Sequence, residues 1–145
     1  MSLSHKICVV IDTNIIISSA ISMDGNPAQI FELLLLEEII NYTTKDIIEE
    51  IKEVLERPRI KKRLDAQAKD FIMEQFQAFS HIVIPNVTLK EVKNDPDDDK
   101  FLECAITANV DFIISGDEHL LQIKEFRGIK IINPADFIAL FHQRT

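Results

Sequence analysis

The chain has 145 residues, the length of one ordinary domain, and a domain of that size buries roughly 68–70% of the surface its unfolded form exposes, so a hydrophobic core is available. With 46% hydrophobic and 28% charged residues it is neither disordered nor fibrous, and apolar runs such as Leu33–Leu36 are broken by charge well short of the about 20 residues of a membrane span. Sixteen basic against 24 acidic residues give a net charge of −8, which argues against nonspecific nucleic-acid binding by the whole surface. The charge is uneven, however: five of the seven residues Arg57–Arg63 are basic, and residues 91–99 hold five acids and one lysine.

In chain order, Ile7–Ile11 is a continuous β-branched run, the signature of a strand buried on both faces, and Asp12-Thr13-Asn14 ends it. Pro27 suits the first turn of a helix predicted over Ala28–Glu38, and Ile39–Thr43 reads as a second strand. Thr44 is placed to cap a helix over Lys45–Glu56, whose apolar positions Ile47, Ile48, Ile51, Val54 and Leu55 keep helical spacing until Pro58. A further amphipathic helix is expected over Asp65–Ser80. A brief strand follows at Ile82–Ile84, a helix at Asp97–Ala108, strands at Asp111–Ser115 and Gly128–Ile132, and a last helix at Ala135–His142 behind Pro134. No repeat, low-complexity tract or Gly/Ser linker divides residues 1–145, which are read as a single domain. Strands alternating with helices imply right-handed crossovers and a parallel sheet covered on both faces.

Cys8 and Cys104 stand far apart and outside any C-x-x-C spacing, so no disulfide framework or zinc ribbon is indicated and both are expected in the core. His5, His81, His119 and His142 are scattered and read as ordinary surface or boundary residues. Met1–Lys6 has no signal-peptide pattern, the other end carries no lipid-anchor motif, and a cytoplasmic protein with no membrane partner is the expectation.

In an open parallel sheet, ligands bind at the carboxyl ends of the strands, and the acids fall there. Asp12 follows the first strand and Asp117 the strand Asp111–Ser115. Glu50 is in the helix after the second strand, and Asp97, Asp98 and Asp99 open the helix after the third. At about 100° per residue, Glu49 and Glu53 point away from the apolar stripe of Lys45–Glu56, whereas Glu50 lies on its border, roughly 40° from Val54. Acids at a helix start also complement its dipole, but one suffices for that; three in succession repel unless a positive charge is near, and Lys93 and Lys100 supply only part of it. Asp12-Thr13-Asn14 also reads as a turn that starts a helix, yet Asp12 places a carboxylate at the end of a buried strand, where an unpaired charge is costly. Carboxylates without histidine or thiolate make an oxygen-donor site suited to Mg²⁺ or Mn²⁺, and hence to phosphodiester hydrolysis. No phosphate-cradling glycine loop or nucleophile elbow is present.

Five segments in order, Val9–Ser18, Ile47–Pro58, Asp95–Leu102, Ile113–Leu121 and Ile131–Phe137, resemble the PIN-domain family, in particular its prokaryotic toxin–antitoxin subgroup. The resemblance implies an α/β fold, a three-layer α/β/α sandwich around a parallel sheet, and a Mg²⁺- or Mn²⁺-dependent endoribonuclease acting on single-stranded RNA. It implies Asp12, Glu50, Asp99 and Asp117 as the catalytic metal ligands, with Asp98 in reserve for Asp99, and Asn14 and Ser115 as supporting polar residues. Such acids hold one ion, or two about 3.5–4 Å apart. It further implies a homodimer and an antitoxin protein as partner. Arg57, Arg59, Lys61, Lys62 and Arg63 are candidate contacts to the RNA backbone, with a solvated basic turn as the equal alternative, and base stacking falls to Tyr42 or a phenylalanine. Two other readings remain: a receiver-like phospho-acceptor domain, which Ile84-Pro85 at the end of the third strand disfavours, and a non-catalytic RNA- or partner-binding scaffold.

Overall fold

The first β-branched run becomes the middle of the sheet. In a computed structural model, which describes residues 5–90 and 96–144, β1 (Ile7–Ile11) lies between β2 (Ile39–Thr43) and β4 (Phe112–Ile114), with Val9, Val10 and Ile11 buried. With β3 (Ser80–Ile82), β5 (Glu125–Phe126) and β6 (Ile129–Ile132), the strand order among the described residues is β3-β2-β1-β4-β6-β5. All neighbours are parallel except β5, which is antiparallel to β6. The helices are α1 (Thr13–Ile21), α2 (Asn26–Leu35), α3 (Lys45–Leu55), α4 (Pro58–Lys61), α5 (Ala66–Ala78), α6 (Asp99–Ala108), α7 (Glu118–Leu121) and α8 (Pro134–Gln143). α1 packs on α2 and α3, α2 on α8, and α6 lies against β1, β2 and β4, which completes the α/β/α sandwich. Phe76, Phe101 and Phe137 are fully buried in its core. No helix among the described residues is long and apolar enough to cross a membrane.

β1 and β2 have the bounds their sequence predicts; the short helices α4 and α7 are additions, the ends of several elements shift by a residue or two, and α1, α2, β3 and β5 differ for local reasons. The turn at Asp12–Asn14 starts a helix, α1, which continues to Ile21 because burial of Ile15, Ile16 and Ile17 outweighs the weak helix propensity of β-branched residues. α2 stops at Leu35 because Glu37 is left-handed (φ 58°) and the Glu38 and Glu37 amides bond back to Leu33 and Leu34, a Schellman ending built without glycine. β3 is Ser80–Ile82 rather than Ile82–Ile84. Its partner β2 runs out at Thr43, Thr44 turns away to cap α3, and after the Val83 amide bonds Thr43 no ladder remains, so Ile84 is 87% exposed. β5 was not foreseen; it pairs with β6 across Arg127-Gly128, both at positive φ (50° and 86°), the two-residue type I′ turn that glycine makes accessible. Cys104 is buried as expected, but Cys8 is only half-buried. Lys93 and Asp95, used above in weighing the acidic run, lie outside the described residues.

One buried side chain ties the end of β1 to its neighbours. The Asn41 carbonyl oxygen accepts the Ile11 amide at 3.0 Å and its NH₂ donates to the Ser80 hydroxyl at 2.9 Å, so the carboxyl end of β1, the middle of β2 and the start of β3 are fastened together. Asn41→Ala leaves a buried amide unsatisfied and is expected to cost about 1–3 kcal/mol in urea unfolding. A loss under about 0.5 kcal/mol would show that the Ile11 amide finds another partner.

Candidate metal centre

β1 is the strand from which the chain proceeds to β2 on one side while β4 lies on the other, so the crevice beyond β1 and β4 is the switch point of the sheet. Asp12 sits there. Its amide continues the ladder to the Ile114 carbonyl at 3.0 Å, and its side chain, 3% exposed, caps α1 through Oδ1, which accepts the Asn14 amide at 3.2 Å. Oδ2 accepts the Ser115 hydroxyl at 2.5 Å; Ser115 Oγ in turn accepts the Asp117 amide at 3.0 Å. Asp117 caps α7 by accepting the His119 amide at 2.7 Å. A single buried hydroxyl thus sets the relative placement of two carboxylates. Asn14 contributes its backbone, and its side chain is exposed.

Glu50 reaches the same edge from α3, half-buried while Glu49 and Glu53 are exposed, as helical phase predicts. Both of its oxygens are engaged: Oε1 accepts the Thr13 hydroxyl, and Oε2 pairs with Lys100 Nζ at 2.6 Å. In the acidic run, a 3₁₀ turn over Pro96–Asp98 leads into α6; Asp97 is exposed, while Asp98 and Asp99 are both buried. Ligand atoms of Asp98, Asp117 and His119 lie within 4.8 Å of one another, and Asp99 faces a cleft of about 800 Å³ that Glu50 and Lys100 also line. Asp98 therefore stands on the Asp117 side of the centre and Asp99 on the Glu50 side.

His119 is a boundary residue as expected, and its Nδ1 is also 3.7 Å from Asp117 Oδ1, because the Asp117 cap turns the second residue of α7 back toward the cap. Lys100, expected to offset part of the aspartate charge, pairs with Glu50. Sequence reasoning did not select Thr13, His119 or, as a site residue, Lys100. Tyr42 stacks on His81 (centroids 5.2 Å apart) and is half-buried, which engages the ring nominated for base stacking; Phe71, on α5, is the exposed phenylalanine. Of the basic strip, Arg57 lines the cleft, whereas Arg59, Lys61, Lys62 and Arg63 are exposed on α4 and just beyond it, with Lys61 paired to Glu56 at 3.3 Å.

The electrostatics favour a cation. Burial pushes the Asp12 carboxyl up to about 6; the Ser115 and Asn14 hydrogen bonds pull it down, and the Glu50 and Asp117 charges push it up again. Holding Asp12 ionised at neutral pH therefore costs about 3 kcal/mol relative to the unfolded chain. The donor set, carboxylate oxygens with one imidazole nitrogen, fits Mg²⁺ or Mn²⁺ better than a soft metal.

The PIN domain family profile matches residues 8–119. The chain is 35% identical over 147 residues to uncharacterized protein MJ1680 of Methanocaldococcus jannaschii, which covers 95% of this chain and 94% of that protein. Its fold is similar to the crystal structure of PAE2754 from Pyrobaculum aerophilum, with a TM-score of 0.65 over 94% of this chain and 90% of that one at 14% identity.

Because the folded-state pKa of Asp12 is raised, its ionisation opposes folding: the cost is absent below the ordinary carboxylate pKa near 4, grows as pH rises, and is complete above about 6. In chelator, the Tm of wild type should fall between pH 5 and pH 7 more steeply than that of Asp12→Asn, and Mn²⁺ should restore wild type most strongly at the upper end. Parallel pH profiles for the two proteins would show that Asp12 is not the strained carboxylate.

Proposed function

The chain belongs to the PIN-domain family, and on that premise we propose that it is a Mg²⁺- or Mn²⁺-dependent endoribonuclease that hydrolyses single-stranded RNA. PIN domains are typically metal-dependent nucleases. The observation that carries the reading is the buried Asp12 carboxylate at the switch point, oriented by Ser115 and flanked by Glu50 and Asp117. In this reading Asp12, Asp117, Glu50 and either Asp98 or Asp99 hold the ion; among the described residues the ligand atoms that already lie together are those of Asp98, Asp117 and His119. A bound ion supplies positive charge to the phosphoryl group and lowers the pKa of an attacking water.

The chain's own residues do the rest. Ser115 keeps Asp12 and Asp117 in register, Thr13 fixes one Glu50 oxygen, and the α1 N-terminus satisfies the other side of Asp12. Arg57 in the cleft, with the exposed Arg59, Lys61, Lys62 and Arg63 that follow it on α4 and just beyond, meets the RNA backbone without reading bases. A cytoplasmic toxin of a toxin–antitoxin pair, working as a homodimer and restrained by an antitoxin protein, completes the proposal; it draws on the motif resemblance and is tested by seeking an antitoxin gene beside this one. The non-catalytic scaffold is the reading left if cleavage is absent.

Asp117→Asn retains a capping side chain, so the fold should persist, yet cleavage of single-stranded RNA should fall on the order of a hundredfold or more and the Tm gain from Mn²⁺ should shrink. A mutant that cleaves normally and gains fully from Mn²⁺ contradicts the metal centre. Replacing Arg59, Lys61 and Lys62 with Ala should weaken RNA binding and reduce the magnitude of its log–log salt slope by about 2 at little cost in Tm. An unchanged slope returns the strip to a solvated surface.

A further inference from the structure

The cleft beside Asp12 has the wrong charge for RNA. Among its described lining residues, seven carboxylates from α3, the acidic turn and α6 face three cations, Arg57, Lys90 and Lys100, and a backbone phosphate entering it meets repulsion. Lys100 is the most deeply held of the pairs at this edge. Its side chain is 17% exposed, that of Glu50 27%; their atoms meet at 2.6 Å, and the ammonium lies 5.5 Å from the Phe101 ring centroid. The other Glu50 oxygen is fixed by the Thr13 hydroxyl, so Glu50 stays in place while Lys100, on a flexible four-carbon stem, is the partner able to leave. A divalent cation approaching Glu50 meets Lys100 as a like charge already seated there.

We propose that Lys100 is an exchangeable counter-ion: it neutralises Glu50 until a divalent cation takes that carboxylate, and the freed ammonium then holds an RNA phosphate in the cleft. The inference rests on the nuclease reading above and adds to it a positioning residue that couples ion loading to RNA capture. Two consequences separate this from a structural ion pair. Lys100 competes with the ion, so removing its charge strengthens ion binding. Its contact with RNA exists only after loading, so removing it weakens RNA binding only when the ion is present.

The experiment measures Mn²⁺ affinity by calorimetry and the affinity for a 2′-O-methyl single-stranded oligoribonucleotide by fluorescence anisotropy, with chelator and with saturating Mn²⁺. The proteins compared are wild type, Lys100→Met and Lys100→Arg. Methionine keeps an apolar stem over Phe101, and Lys100→Gln replaces it if that variant does not fold. The expected result is that Lys100→Met binds Mn²⁺ about fivefold more tightly, the yield of a partly screened pair, and binds the oligonucleotide about fivefold more weakly in Mn²⁺ but unchanged in chelator. Lys100→Arg, which keeps the charge, should restore both values toward wild type. An unchanged or weakened Mn²⁺ affinity in Lys100→Met overturns the exchange, as does an equal loss of oligonucleotide binding with and without Mn²⁺. Wild type that binds Mn²⁺ but no oligonucleotide under either condition overturns the nuclease reading itself.

Discussion

The hydroxyl of Ser115 donating to Asp12 is the contact on which the rest of the centre depends. It joins the residue after β1 to the residue after β4, across the switch point of the sheet, and its acceptor side fixes the Asp117 amide. Asp12 is too buried to be solvated, and the two hydrogen bonds it receives do not offset the loss of water, since its pKa stays raised. Folding therefore stores an electrostatic cost at this point, and the rest of the sheet sustains it: Asn41 satisfies the preceding amide, and the isoleucines of β1 and α1 anchor both sides of the turn. In the proposed reading a divalent cation removes the cost, which would make the buried carboxylate a binding device instead of a defect.

The acidity of the chain and its proposed RNA substrate are reconciled by location. The carboxylates of α3, Asp98, Asp99 and Asp117 gather at one sheet edge, where a cation converts them from a barrier into an attraction. Arg57 reaches into the cleft, and the other basic residues of its strip are exposed on α4 and just beyond it. Attraction to the backbone and repulsion by the bare centre then act within one cleft.

Much of this was legible in the sequence because it depends on periodicity. The run Ile7–Ile11 read as a buried strand and Ile39–Thr43 as a second strand, and the phase of α3 separated Glu50 from Glu49 and Glu53. The ends of β1 and β4 placed Asp12 and Asp117 at a common edge as soon as the sheet was parallel. What was not legible depends on contacts between distant segments or on backbone detail. The start of α1 was legible in the turn at Asp12–Asn14, but its extent was not, because three consecutive isoleucines look like strand and become helical only when the core buries them. Thr13 and Lys100 meet Glu50 across 37 and 50 residues of sequence, and no local pattern announces either. Asp98 and Asp99 share the junction between a 3₁₀ turn and α6, so both are buried and helical phase cannot separate them. His119 enters through the tight cap made by Asp117, a geometry set by the turn and not by spacing.

The central claim is that these acids hold a divalent cation at the switch point, and anomalous scattering from crystals soaked in Mn²⁺ tests it most directly. The account predicts a peak about 2.1 Å from an Asp12 oxygen and from an Asp117 oxygen, with Asp98 or Asp99 completing the protein ligands and Glu50 released from Lys100. A fully soaked crystal with no peak at this edge, or with Mn²⁺ bound only elsewhere while Asp12 and Lys100 keep their present partners, would contradict it.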